Sequence, residues 1–229
     1  MLQRIAEALG PLGLILRGGF HPCPEDAVPP LRDGGVAGTL VLVGNAGPAM
    51  WRAFHAAPEA ADGKAHPLDR WIARGLGTLA QALGAEARFP FEGPPYLPFQ
   101  RWAARAEGLS ASPLGILIHP RFGLWHAYRG ALAFRAALPL PAAPEAPCPC
   151  DACARKPCLQ GCPVGAFTAD GYAVADCLDH LGRAEGRDCK GQGCLARRAC
   201  PVGREYLYES QQAAFHMAAF VGSRRGGSG

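Results

Sequence analysis

Residues 150–165 read CDACARKPCLQGCPVG, and residues 189–203 read CKGQGCLARRACPVG. Both segments end in Cys-Pro-Val-Gly, and with Cys177 they hold eight of the ten cysteines of the chain. The spacings are Cys150-x2-Cys153-x4-Cys158-x3-Cys162-Pro163 and Cys189-x4-Cys194-x5-Cys200-Pro201. Thiols at this density bind metal or form disulfides, and three readings compete. Two sets of four thiolates, each closed by Cys-Pro, suit two iron-sulfur cubanes. Zinc also takes all-thiolate tetrahedra that start from a C-x2-C knuckle, but it wants two knuckles and gives no reason for a proline after the last ligand. Disulfides need an oxidising compartment, and the opening MLQRIAEALG lacks a basic segment followed by an apolar core and a small-residue cleavage site. The iron-sulfur reading is favoured over the other two, which stay open. Cys148 is left over as a spare thiol or an alternative first ligand, and Cys23 as a structural or free thiol.

The pattern resembles the cassette of two-cluster ferredoxins, with insertions relative to their x2, x2, x3 spacing. In those proteins three clustered cysteines hold one cubane while the cysteine before proline reaches across to the other. The resemblance implies one 4Fe-4S cluster on Cys150, Cys153, Cys158 and Cys200, and a second on Cys162, Cys177, Cys189 and Cys194.

The cassette fills only the last third of 229 residues, so a second domain with its own core is expected upstream. A composition of 49% hydrophobic and 18% charged residues is that of a globular protein. The apolar runs Leu12–Leu16, Thr39–Val43 and Leu114–Ile118 are far too short to span a bilayer. A soluble, cytoplasmic protein with no membrane partner is therefore expected. The net charge of +4 divides evenly, with 13 basic against 11 acidic residues in 1–147 and 10 against 8 in 148–229. Neither part has the charge of a nucleic-acid-binding domain, so nucleic acid is not expected as a partner. Near neutrality suits delivery of electrons within the chain better than it suits a freely diffusing carrier.

Periodicity organises the rest. Leu2, Ile5, Ala6 and Leu9 share a helical face that Gly10-Pro11 ends, and Leu12–Leu16 reads as a short strand. Thr39–Val43 is the clearest strand. Gly44–Pro48 then reads as a tight turn into a helix from Ala49; it has neither G-x-G-x-x-G nor a P-loop lysine. Leu68, Trp71, Ile72, Leu76, Leu79 and Leu83 mark a helix over Pro67–Leu83. Ala87–Phe91 suggests an edge strand, Phe99–Ala106 a helix, and Leu114–Ile118 with Trp125–Phe134 two strands. Strands and helices thus alternate through an α+β sheet domain. Residues 139–147, with four prolines, read as an extended linker, and Tyr206–Val221 as an amphipathic helix before a frayed polar tail.

GILIHPRFGLWHAYRGALAF, residues 115–134, resembles the hallmark segment of the CblC-type cobalamin-processing proteins, the vitamin B12 decyanase and dealkylase family. RIAEALGPLGLIL at the start, TLVLVGNAGPAMWRAF at 39–54 and HPLDRWIARGL at 66–76 resemble it in the same order. That likeness implies a nitroreductase-like α/β sheet domain over 1–138 with base-off cobalamin in a large cavity. The cysteine cassette, with Cys177-Leu-Asp-His-Leu181, is similar instead to the ferredoxin half of epoxyqueuosine reductase, which joins a cobalamin domain to two 4Fe-4S clusters. The expected order is a cobalamin domain over 1–138, a linker over 139–147, a small ferredoxin-like two-cluster domain over 148–204, and a helix and tail over 205–229. The chain ends soon after the cassette, where that reductase continues into a helical-repeat region for tRNA, so tRNA is not expected as substrate.

Within residues 115–134, His119, Arg121, Trp125, Tyr128 and Arg129 are the candidate corrin contacts. His119-Pro120 at a strand end is also what a structural turn looks like, and Trp125 and Tyr128 suit a core. Arg121 and Arg129 sit beside aromatic positions and need carbonyl or anionic partners, which a corrin's amides and phosphate would offer. No residue stands out as a proton-transfer group. The expected function is a cobalamin-dependent or cobalamin-processing reductase, fed by an electron donor protein and acting on cobalamin or another small molecule. The alternative is an electron carrier or cobalamin escort without turnover.

Overall fold

A computed structural model describes residues 1–168 and 171–225 of the chain. The first elements are α1 (Leu2–Leu9), β1 (Ile15–Phe20), β2 (Thr39–Ala46), α2 (Ala49–His55), α3 (Pro67–Leu83), β3 (Glu86–Arg88), α4 (Phe99–Glu107), β4 (Ser110–Ala111), β5 (Leu117–Ile118) and β6 (His126–Phe134). Then follow α5 (Pro157–Gln160), β7 (Phe167–Thr168), β8 (Gly171–Tyr172), α6 (Val174–Gly182), α7 (Arg187–Gln192), α8 (Leu195–Arg198) and α9 (Ser210–Arg225). Contacts divide the chain into two compact units, one of Met1–Leu109 with His126–Ala146, the other of Ser110–Trp125 with the chain from Pro147 onward. Residues 110–125 therefore belong with the cysteines, although the sequence reading put them in the first domain. No helix among the described residues is long and apolar enough to cross a membrane.

The first unit is a four-stranded antiparallel sheet in the order β1-β2-β6-β3, covered by α1 to α4. Thr39 to Asn45 are all buried in β2, because a central strand covered on both faces has no solvent side to alternate towards. α3 keeps the bounds its periodicity predicts. Proline opens it, Leu68, Trp71, Ile72, Leu76 and Ala80 form its buried face, and Gly84 closes it in the left-handed conformation with its N–H on Ala80 and Gln81 carbonyls.

Three departures from the expected elements have local causes. Pro11 and a left-handed Gly13 shape residues 10–12 into a 3-10 turn, so the strand expected at Leu12–Leu16 starts only at Ile15. That strand then carries a bulge between Leu16 and Gly19, which turns Arg17 into the interior at 1% exposure. Of the turn expected at Gly44–Pro48, only Gly47 and Pro48 turn, ahead of the helix at Ala49, while residues 44–46 continue β2. A Cβ on Gly44 would sit 2.2 Å from the Ala127 carbonyl oxygen, so glycine lets β6 pair through to Ala46.

The proline-rich linker is not free. Thr39 Oγ1 donates to the Ala136 carbonyl at 2.8 Å and accepts from Leu138 N–H at 2.8 Å, and the Pro144 carbonyl lies over Gly108, where a Cβ would meet it at 2.5 Å. Residues up to Ala146 thereby lie along the first unit.

In the second unit, only Leu117–Ile118 of the expected Leu114–Ile118 strand pairs, with β4; Leu114 turns into the core instead. That core joins Leu114, Ile118 and Leu124 to Cys158, Ala196 and Cys200. Two left-handed glycines let backbones meet here. A Cβ on Gly123 would lie 1.9 Å from the Val202 carbonyl oxygen, and one on Gly203 would lie 2.3 Å from the Phe122 carbonyl carbon. The last helix starts at Ser210 rather than Tyr206, because residues 204–206 form a 3-10 turn that Leu207 leaves in extended conformation. Its buried positions are Gln212 and Ala213, and it runs past Gly222 to Arg225; the tail beyond lies outside the described residues.

Candidate metal centre

The cassette folds as four one- or two-turn helices and a hairpin, too short to hold themselves together by backbone hydrogen bonds alone. Tight turns present the cysteines: Asp151 N–H bonds the Cys148 carbonyl at 3.0 Å, and Gly165 N–H bonds that of Cys162 at 3.2 Å. The Cys158, Cys189 and Cys200 residues are buried at 8%, 6% and 6% exposure.

Mutual influence sorts the thiols into two groups. Burial, then Cys148, Cys200 and Cys158, push the Cys150 thiol up to about 12. Burial also raises Cys200, opposed by the Val202 N–H and reinforced by Cys158 and Cys153. In the other group, burial raises Cys177, with Cys162 and Cys189 adding to it and the Tyr172 hydroxyl opposing. Burial again leads at Cys194, where the Arg197 and Ala196 N–H groups oppose and Cys189 and Cys177 reinforce. A small cavity is lined by Cys162, Cys177, Cys189 and Cys194 together with His180, Leu181 and Met217. The groups are thus Cys150, Cys153, Cys158 and Cys200, beside Cys148, and Cys162, Cys177, Cys189 and Cys194. Cys162 and Cys200 each leave their own sequence copy for the other's group.

This donor set fits a cluster. Thiols crowded in a buried site raise one another's pKa because neighbouring thiolates repel, and a cation among them reverses that by holding them as thiolates. Donors already surround the sulfurs: Ala166 N–H reaches Cys162 Sγ at 3.3 Å, and Tyr172 bonds the Cys177 thiol. Burial and that bond raise the Tyr172 hydroxyl well above the ordinary phenol range. Among the described residues, no three His, Cys, Asp or Glu side chains converge as a single metal ion requires.

The five candidate corrin contacts divide between the units. His119, Arg121 and Trp125 fall in the second, where each has structural work. His119 Nδ1 accepts the Arg121 and Phe122 N–H groups at 3.0 and 3.1 Å, and its ring stacks on Phe122. Arg121 Nε donates to the Tyr206 hydroxyl at 2.6 Å. Trp125 packs edge-on against Tyr208, with the Arg197 guanidinium 4.5 Å from its ring while that side chain holds the Leu124 carbonyl.

Tyr128 and Arg129 fall in the first unit. Arg129 Nε donates to Asn45 Oδ1 at 2.8 Å. Tyr128 donates to Glu107 and accepts from Arg17 at 3.0 Å, and burial raises its hydroxyl well above the ordinary phenol range. Arg17 itself bonds both Glu107 oxygens, at 2.9 and 3.0 Å, and reaches His126 Nδ1 at 3.3 Å. Of this buried network the sequence reading named Tyr128 but not Arg17, Glu107 or His126, since only the bulge brings the guanidinium inside. Two cavities of the first unit, about 230 and 420 Å3, are lined mainly by residues 22–37 and by residues 29–32 with 86–97, and none of the five candidates lines them. Cys23 borders the smaller one, its thiol donating to Asp26 at 3.2 Å and accepting from Arg105 at 3.1 Å.

No family model matches the chain, and no curated protein matches it in sequence. Solved structures do match its fold. Epoxyqueuosine reductase from Streptococcus thermophilus superposes with a TM-score of 0.52 at 15% identity over 89% of this chain and 65% of that one. An epoxyqueuosine reductase with a modified tRNA-Tyr stem loop gives 0.53 at 16% identity over 91% and 66%. The C. elegans B12-trafficking protein CblC gives 0.53 at 14% identity over 94% and 90%. At these identities the likeness is one of fold, and the chain spans about two thirds of the length of the two reductases. One expectation is overturned. A protein of this fold is seen with a tRNA stem loop, so the even charge balance of this chain does not exclude nucleic acid as a partner.

Proposed function

We propose that this chain is an iron-sulfur oxidoreductase that carries two 4Fe-4S clusters in its second unit and serves a cobalamin bound by its first. The observation that carries the reading is the sorting of eight cysteines into two four-thiol groups, with Cys162 and Cys200 exchanged between the copies. The first cluster is held by Cys150, Cys153, Cys158 and Cys200, the second by Cys162, Cys177, Cys189 and Cys194. Bound clusters supply single electrons at low potential. The protein's part is to hold the thiolates, to exclude water with Leu114, Ile118 and Leu124, and to aim N–H and O–H donors at the sulfurs.

The cobalamin part rests on the fold shared with a B12-trafficking protein, and Arg129, fixed at its Nε by Asn45, is the contact assigned to the corrin. His119, Arg121 and Trp125 serve the second unit's own packing. A nucleic acid as substrate is the second reading, favoured by the fold shared with a reductase seen on a tRNA stem loop.

Anaerobic preparation followed by iron analysis and EPR tests the clusters. Adding cob(II)alamin then tests the corrin: a shift to the base-off spectrum, weakened by Arg129→Ala, is expected. An unchanged base-on spectrum with clusters intact reduces the protein to an electron carrier. A gel shift with a tRNA stem loop decides the second reading.

A further inference from the structure

His180 stands on α6 three residues after Cys177, and it lines the cavity formed by Cys162, Cys177, Cys189 and Cys194. Its Nε2 is buried and has no hydrogen-bond partner. A buried polar atom left unpaired is costly, and native interiors rarely keep one without cause. The other donors near this group already end on sulfur: Ala166 N–H on Cys162, Tyr172 on Cys177, and the Ala196 and Arg197 N–H groups on Cys194. His180 is the polar ring in the wall of the same cavity, whose lining also includes Leu181, Leu195 and Ala196, which offer its nitrogen no side-chain acceptor, and Met217, whose thioether is at best a weak one.

We propose that His180 donates an Nε2–H hydrogen bond to a sulfur of the second cluster and thereby raises that cluster's reduction potential. The inference rests on the two-cluster reading and adds to it a residue that is not a ligand. The sign follows from charge. One-electron reduction places an extra negative charge on the cluster, a fixed donor stabilises the more negative state, and hydrogen bonds to sulfur are one of the means by which proteins set cluster potentials. His180 is thus a positioning and tuning residue for the second cluster, whose thiolates come from both sequence copies.

Redox-poised EPR of the anaerobically prepared full chain tests it, with wild type, His180→Phe and His180→Gln compared at equal iron content. In His180→Phe one of the two midpoint potentials is expected to fall while the other stays, and His180→Gln, which keeps an N–H donor, is expected to recover part of the shift. Equal potentials in all three, with iron content unchanged, overturn the proposal. If His180→Phe fails to load or fold, wild-type protein labelled with 15N-histidine replaces it. Hyperfine coupling from one imidazole N–H to a reduced cluster supports the bond, and no coupling overturns it. A wild-type chain without iron contradicts the cluster reading itself, an outcome separate from either.

Discussion

Arg17 is the residue on which the interior of the first unit turns. Its guanidinium is 1% exposed and meets a carboxylate, a phenol and an imidazole at once, and its charged face lies 4.5 Å from the Tyr128 ring. A buried ion pair contributes little over an apolar pair of the same shape, but breaking it strands the remaining charge. Arg17→Met leaves the Glu107 carboxylate in a side chain only 12% exposed, and a loss of about 3–5 kcal/mol is expected from denaturant unfolding of the first unit. Arg17→Met with Glu107→Leu together should cost less than Arg17→Met alone. A double variant as unstable as the sum of its singles would show that the two side chains are not coupled.

The two Cys-Pro-Val-Gly segments look alike in sequence and differ as elements. Gly165 and Gly203 both adopt left-handed backbone, at φ of 59° and 71°, so alanine at either costs about 1–2 kcal/mol of strain. A Cβ on Gly165 meets nothing within 4 Å, while one on Gly203 would collide with the Phe122 and Gly123 backbone. Gly203→Ala is therefore expected to destabilise the second unit by a further ~1–3 kcal/mol or more and to lower its iron content, while Gly165→Ala keeps its iron. Thermal melting and iron analysis of the two variants check this. Equal losses would mean that the close approach at Gly203 is not required.

Legibility followed the same division. α3 and β2 could be read because a long apolar stripe and a run of leucine alternating with β-branched residues are local signals, and Phe99–Glu107 was one residue longer than expected. β1 was expected too early, at Leu12–Leu16, because the 3-10 turn at residues 10–12 delays it and its far end is a bulged stretch that carries a buried arginine. The cassette helices, at four to nine residues, have no periodicity to read; the turns between cysteines shape them. The two cysteine sets were expected from the resemblance to two-cluster ferredoxins, whereas His180 and Arg17 drew no attention, since their burial depends on tertiary contacts that no spacing reveals.

At the scale of the whole molecule, the chain has a sheet-and-helix unit and a unit organised around cysteines, and its fold is similar to those of epoxyqueuosine reductase and CblC. In the proposed two-cluster reading, the exchange of Cys162 and Cys200 ties the two sequence copies together. Removing Cys162 should therefore damage the group of Cys177, Cys189 and Cys194 and spare the one that contains its neighbour Cys158. In Cys162→Ala about half of the iron is expected to remain, with the EPR signal of one cluster intact. Survival of the other cluster instead would mean that the copies do not exchange ligands.

The most direct test is iron, sulfide and zinc analysis of the anaerobically prepared wild-type chain, together with low-temperature EPR after reduction. About eight irons and as many sulfides per chain, with the signals of two reduced cubanes, are the predicted result. Stoichiometric zinc without iron or sulfide would contradict the account.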